Sequence, residues 1–320
     1  MTFAFKAAAR PFAAVILAAC LTAGCATPIT HHPVAQAVAV ATPPGSIEAS
    51  LRKPGLVRFE RIVAADWASG RGGFVDLKSP EAVAAGVGPA REELQIYAYA
   101  IHHPTQGLYL IDAGVSDRLQ ANLNPVFRWL MRDITFSIRE TTAAWLARQP
   151  EPPRGVFLTH LHFDHAGGLL DVPKTAVVRT GPGEAANAHW TFQVIAGGTD
   201  RFLAGFGPIQ EWPFQPDPDG RFAGVTDIFG DGSVWAISVP GHTPGSTAYL
   251  VNALDGPKLI VGDAAHTRLG WQGLPQPLPD PDRANAARSV QALRGFATAH
   301  PEIEVFLGHQ EIETQAPAGG

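Results

Sequence analysis

From Val57 onward, short apolar runs alternate with turn signals and with longer stretches at helical spacing. Ile96 to Ile101 and Leu108 to Ile111 bracket His102-His103-Pro104-Thr105-Gln106-Gly107. This pattern predicts a β-hairpin with the two histidines in its turn. Between 122 and 148, Val126, Trp129, Leu130, Ile134, Ile138, Trp145 and Leu146 recur at mixed helical spacings, predicting helices inserted between two strands. Asp280-Pro281 predicts an N-cap with proline at the first helical position. Val290, Leu293, Phe296 and Ala297 then form the stripe of a helix lying on a sheet.

Four of the apolar runs end, on the C-terminal side, in residues that bind metals. Gly155-Val156-Phe157-Leu158 leads into Thr159-His160-Leu161-His162-Phe163-Asp164-His165, and Ser233 to Val239 leads into Pro240-Gly241-His242. Lys258 to Val261 leads into Gly262-Asp263, and Glu304 to Leu307 into Gly308-His309. Strands whose tips meet at one sheet edge deliver side chains from distant parts of a chain to one point, which is where layered α/β proteins place their sites. A solvated polar loop would account for the first ending but not for three repeats of strand, glycine and ligand. In the first run His160 and His162 are placed to share one ion, and Asp164 and His165 to face a second. Imidazole nitrogen and carboxylate oxygen suit Zn²⁺ at about 2.0–2.2 Å. Gly167 and Gly168 follow, where a side chain would crowd a closely approaching backbone.

The N-terminus has a different character. Lys6 and Arg10 form a basic start, and Ala13 to Leu21 an apolar stretch too short to span a bilayer. Leu21-Thr22-Ala23-Gly24-Cys25 resembles a bacterial lipoprotein cleavage site, which implies acylation of Cys25; Leu17-Ala18-Ala19-Cys20 fits the same pattern after a shorter core. Residues 1–25 are therefore expected to be a signal peptide, 26–52 a flexible tether broken by proline, and 53–320 one folded domain. His31 and His32 in the tether are expected to be inert. Cys20 and Cys25 are the only cysteines, so the body carries neither disulfide nor thiolate ligand. The expected localisation is export as a lipoprotein facing the periplasm. Ala26 rather than aspartate after Cys25 points to the outer membrane.

Composition narrows the partners. The chain has 320 residues, 46% apolar and 17% charged, enough for one large domain with a proper core. Its net charge of −5 becomes −7 once Lys6 and Arg10 are removed, and no basic run argues for nucleic acid. The membrane is then contacted only through the lipid, and oligomeric state is left open.

Thr-His-Leu-His-Phe-Asp-His-Ala-Gly-Gly at 159–168, Pro-Gly-His-Thr-Pro-Gly at 240–245, Gly-Asp at 262–263 and Gly-His at 308–309 resemble the metallo-β-lactamase superfamily over about residues 55–315. The resemblance implies a single-domain αββα four-layer sandwich with mixed sheets and two Zn²⁺ ions, or other divalent transition metals, at one edge. It implies His160, His162 and His242 on the first ion, Asp164, His165 and His309 on the second, and Asp263 bridging both.

Two such cations would supply an acidified water as nucleophile towards a carbonyl or phosphoryl group. Asp164 and His266, three residues past Asp263, are the candidate proton donors to the leaving group. Within the superfamily, Asp263 in the bridging position differs from the Cys or Ser of the zinc β-lactamases. Ala264-Ala265-His266-Thr267-Arg268 also differs from the Leu-Phe segment of glyoxalase-type enzymes. The motifs are most similar to the quorum-quenching branch that opens N-acyl homoserine lactones, which has a tyrosine where His266 stands. The resemblance thus implies lactone or ester hydrolysis. Phosphodiester or sulfate-ester hydrolysis, β-lactam turnover and a non-catalytic envelope metal protein are the alternatives. Seven ligands over two ions leave room for water, which favours an enzyme. Trp129, Trp145, Trp190, Trp212, Trp271, Phe206 and the loop 274–281 are candidates to cover the metal edge, which would suit an uncharged, partly apolar small molecule, although each aromatic taken singly is better read as core or helix–sheet packing.

Overall fold

The computed structural model describes residues 30–36, 45–130, 135–186, 198–278 and 282–312. Two sheets face each other. The larger holds β1 (Val34–Gln36), β2 (Arg58–Gly70), β3 (Arg91–His103), β4 (Gly107–Ile111), β5 (Thr135–Ile138), β6 (Gly155–Phe157), β7 (Val177–Thr180) and β8 (Ile209–Glu211), in the order β1-β8-β7-β6-β4-β3-β2-β5. The smaller holds β9 (Val225–Asp227), β10 (Val234–Ser238), β11 (Thr247–Ala253), β12 (Gly256–Ile260) and β13 (Glu304–Phe306), in the order β13-β12-β11-β10-β9. Both sheets mix parallel and antiparallel pairs.

The alternation of side chains sorts the apolar residues into three cores. In β10, Val234 and Ala236 point between the sheets, while Trp235 and Ile237 point outward. In β3, Tyr97, Tyr99 and Ile101 face the intersheet core, and Ile96, Ala98 and Ala100 the core outside the larger sheet. Helices cover both outer faces. Val290, Leu293 and Phe296 of the helix Asp282–Ala299 pack on the smaller sheet, as their spacing predicts. Leu119, Trp145 and Phe202 cover the larger one. The result is one α/β domain in four layers, as expected.

Several expectations need correction. The segment 26–52 is not a free tether over its described residues. β1 pairs in parallel with β8, and the helix Ile47–Leu51 is docked through buried Ile47 and a bond from Trp235 Nε1 to Ser50 Oγ. Three-residue strands and five-residue helices are too short for periodicity to reveal. His31 lies against Asp200 at 3.1 Å, and a His32 ring nitrogen lies 2.8 Å from the Gly207 carbonyl. The 122–148 stretch contains an edge strand, β5, paired with β2, besides its helices. The predicted hairpin is present, but His102 and His103 end β3 instead of forming the turn. Residues 1–25, with Cys20 and Cys25, and the Asp280-Pro281 cap lie outside the described residues. No helix among the described residues is long and apolar enough to cross a membrane.

Candidate metal centre

β6 of the larger sheet and β10, β12 and β13 of the smaller one end at the same edge, so their following loops converge. Loop 159–165 carries His160 and His162, then a one-turn helix, Phe163–Ala166, which presents Asp164 and His165. The tight turn depends on Gly168, where a Cβ would lie 1.8 Å from the Ala113 carbonyl oxygen. β10 delivers His242, β12 Asp263 and β13 His309. Gly308 has no room for a side chain because a Cβ there would lie 2.1 Å from Asp263 Oδ1.

All seven predicted ligands are buried. They form two groups able to hold a metal ion: His160, His162, His242 and Asp263, and Asp164, His165 and His309. Asp263 lies between them. Its Oδ2 is 3.5 Å from His160 Nε2, 3.5 Å from His242 Nε2 and 3.3 Å from His165 Nε2, and its Oδ1 is 3.3 Å from His309 Nε2. His309 Nε2 is also 3.4 Å from Asp164 Oδ2.

The donor set fits metal ions on a physical test. His160 Nε2, His165 Nε2, His309 Nε2, Asp164 Oδ1 and Asp263 Oδ1 are buried without a hydrogen bond of good geometry. Buried polar atoms normally find partners, and so many left facing one another would be satisfied together by cations.

The opposite ring nitrogens are fixed by other residues. His165 Nδ1 lies 2.8 Å from Asp112 Oδ2, His242 Nδ1 2.9 Å from Gln276 Oε1, and His309 Nδ1 2.8 Å from the Gln95 carbonyl. Such contacts hold the tautomer that leaves Nε2 as the ligand atom. Asp112 also accepts from the Thr159 backbone N–H at 2.8 Å. It has φ +52°, the only positive φ of a non-glycine among the described residues. Gln276 donates to the carbonyls of Asp263 and Ala264, tying loop 274–278 to the centre. The carboxylate of Glu184, fully buried, accepts from Leu161 N–H at 2.9 Å and Gly245 N–H at 3.1 Å, linking the loops that carry His160, His162 and His242. Burial pushes its pKa up.

Burial drives His160 and His162 well below the ordinary imidazole value and His242 down to about 3, with neighbouring imidazoles reinforcing it. Burial acts on His165 and His309 in the same direction. It is outweighed by Asp263 and Asp112 at His165, and by Asp263 and Asp164 at His309, so both are raised. Burial alone would raise Asp263, but His266, His309 and His165 hold it well below the carboxylate range.

His266 joins this cluster. Its Nε2 is 3.2 Å from Asp263 Oδ2, and its ring is 4.6 Å from that of His242 and 5.3 Å from that of Phe74. The aromatic cover expected from sequence is built by other residues. Trp145, Trp212 and Phe206 are core, Trp129 is exposed on a short helix, and Trp271 packs on the outer core of the smaller sheet. Trp190 lies outside the described residues. Trp67 sits instead edge-on to His309 at 5.4 Å, and Phe74 flanks His266. A cavity of about 620 Å³ opens beside His309, with Trp67 and Leu94 as apolar wall and Asp66, Glu93 and Arg139 as charged rim.

The chain matches the family model described as the metallo-beta-lactamase superfamily over residues 91–309. It is 32% identical to the N-acyl homoserine lactonase AttM of Agrobacterium fabrum over 226 residues, 68% of this chain and 82% of that protein. It is 30% identical to the AttM of Azorhizobium caulinodans at the same coverages. Among solved structures, a quorum-quenching N-acyl homoserine lactone hydrolase superposes with a TM-score of 0.55 at 17% identity, covering 83% of this chain and 98% of the other. A probable metal-dependent hydrolase of Staphylococcus aureus gives 0.57 at 17% identity, covering 80% and 90%. At such identities the superpositions speak to the fold.

Proposed function

The chain belongs to the metallo-β-lactamase superfamily, and from that premise we propose that it is a two-zinc hydrolase of lactones or esters, of the N-acyl homoserine lactone-opening kind. It is an enzyme, a metal-dependent hydrolase. The observation that carries the proposal is Asp263, one carboxylate within 3.5 Å of imidazoles from both ligand groups. In this reading His160, His162 and His242 hold one ion, Asp164, His165 and His309 the other, and Asp263 is shared. Bound there, the pair would supply a water acidified towards neutrality and a Lewis acid for the substrate carbonyl.

The remaining work falls to the chain itself. Asp112, Gln276 and the Gln95 carbonyl keep the rings oriented through their second nitrogens. His266, beside Asp263 and facing the same centre, is placed to hand a proton to the departing alkoxide. Asp164 is the second candidate for that transfer. Trp67 and Phe74 provide an apolar wall for an uncharged, partly apolar substrate. The relatives named as N-acyl homoserine lactonases support lactones over phosphodiesters or sulfate esters.

The test is a panel of N-acyl homoserine lactones of several chain lengths, p-nitrophenyl acetate, bis-p-nitrophenyl phosphate and nitrocefin, with metal content measured in parallel. Lactone opening that Asp263→Ala abolishes is the expected result. Phosphodiester or nitrocefin turnover with inert lactones would overturn the substrate class, and two bound ions with no turnover would point to a metal-binding envelope protein.

The proposal extends to location. Cys25 is the acylated residue of an exported lipoprotein, and Cys25→Ala is expected to move the protein from the membrane to the soluble fraction. Unchanged partitioning in that variant, with Cys20→Ala releasing the protein instead, would assign the lipid to Cys20.

A further inference from the structure

At the N-terminal ends of β4, β6 and β7, the edge away from the metal loops, lies a second cavity of about 290 Å³. Tyr109, Phe157 and Phe229 form its walls; Tyr109 and Phe157 stack at 5.0 Å, and Tyr109 and Phe229 meet at 5.1 Å. Into this aromatic box come two guanidinium groups, Arg154 just before β6 and Arg179 in β7. Arg154 passes over Gly107, where a Cβ would stand 2.7 Å from its Nε, so that glycine makes room for the charge.

Among the described residues, neither arginine has a carboxylate within ion-pair distance. Arg179 donates from Nε to Gln210 Oε1 at 3.1 Å and lies 5.0 Å above the Trp212 ring. Burial lowers its pKa, and the groups opposing that effect are two tyrosines, not acids. Elsewhere in this protein half-buried arginines are paired: Arg71 with Glu92, Arg221 with Glu48 and Arg283 with Asp76. A partly desolvated cation without a counter-ion is costly to keep. Here the cost falls at the mouth of a cavity whose walls suit a flat apolar body.

We propose that this cavity is a binding site for a small carboxylic acid with an aromatic or similarly flat body, held by Arg154 and Arg179 against Tyr109 and Phe229, with Phe157 backing the wall. Guanidinium donors match a carboxylate in pairs, and stacked rings accept a planar group edge-on or offset. The volume lies at the lower end of ligand cavities and fits a single-ring acid better than a long chain. The site is separate from the metal centre and does not depend on what that centre hydrolyses.

The test is calorimetric titration of the full chain with sodium benzoate at constant ionic strength, with benzyl alcohol and sodium acetate as comparisons. Saturable binding of one benzoate is expected, with acetate weaker for want of a ring and benzyl alcohol weaker for want of a charge. Arg154→Ala, whose side chain is exposed, and Arg179→Met should each weaken benzoate about ten- to a hundredfold, the scale of a lost charged hydrogen bond. Asp263→Ala should leave it unchanged. The proposal is overturned if benzoate does not saturate, if Arg154→Ala binds it as the parent does, or if Asp263→Ala abolishes binding, which would place the carboxylate on the metals.

Discussion

The two halves of the metal centre use the same residue types in equal burial, yet they hold their protons oppositely. His160, His162 and His242 are pushed down, His242 to about 3, whereas His165 and His309 are raised. Burial is the largest influence on all five, so it cannot be what separates them. The difference is the carboxylates each histidine faces. Asp112 and Asp263 stand on either side of His165, and Asp164 and Asp263 face His309, while the first three face mostly one another and Asp263 alone. Metal ligands must be deprotonated. The first half therefore offers neutral imidazoles before any ion arrives, and the second must shed protons to take one. The first half is expected to bind the tighter ion at mildly acid pH.

The strongest way to break this comparison is at the residue both halves share. Asp263→Ala should lower hydrolysis by about a thousandfold or more, the loss of several kcal/mol of transition-state stabilisation. Elemental analysis should then find fewer than two ions per chain. His266→Gln should lower kcat by about a hundredfold, the scale of a lost general acid, with metal content unchanged. A loss of metal instead would make His266 part of the first half and not a proton donor.

Smaller effects should separate the halves. Asp112→Asn loosens His165, and Glu184→Gln loosens the tie between the loops of His160, His162 and His242. Each should cost about ten- to a hundredfold in affinity for one ion. The ion left after Asp112→Asn should survive to lower pH than the ion left after Glu184→Gln, and the reverse order would contradict the electrostatic difference.

The smallest effect is on the stability of metal-free protein. His160, His162 and His242 take up protons more readily unfolded than folded. Their contribution is full above about pH 6.5 and is lost as pH falls below it. His165 and His309, raised in the fold, contribute fully below that pH and lose it as pH rises. The three outnumber the two, so the melting temperature should fall on acidification from pH 7 to 5, by about 2–4 °C for each kcal/mol lost. A rise would mean the raised pair dominates.

Much of this centre could be read in the sequence, because each group of ligands follows an apolar run, with a glycine directly before His242, Asp263 and His309, a local signal that survives without a fold. Asp112 carried the same signal, at the end of Leu108-Tyr109-Leu110-Ile111 and two residues before Gly114, and the pattern could have found it. Glu184 and Gln276 could not be found this way. They lie in loops without periodicity, and their importance comes from N–H groups and carbonyls that only the folded chain brings near. The aromatics left two readings open for a related reason. A tryptophan buries so much area that sequence cannot separate core from pocket: Trp145 and Trp212 are core, while Trp67, at the edge of the same core as Trp145, stands edge-on to His309. The docking of residues 30–36 and 45–52 was hidden by the shortness of the elements involved.

The most direct test is titration of the metal-stripped protein with Zn²⁺ while N-acyl homoserine lactone opening is followed in the same cell. Activity should climb to a plateau at two equivalents per chain, one for each ligand group. A plateau at one equivalent, or none with any lactone while two ions bind, would contradict a two-ion hydrolase built on a shared carboxylate.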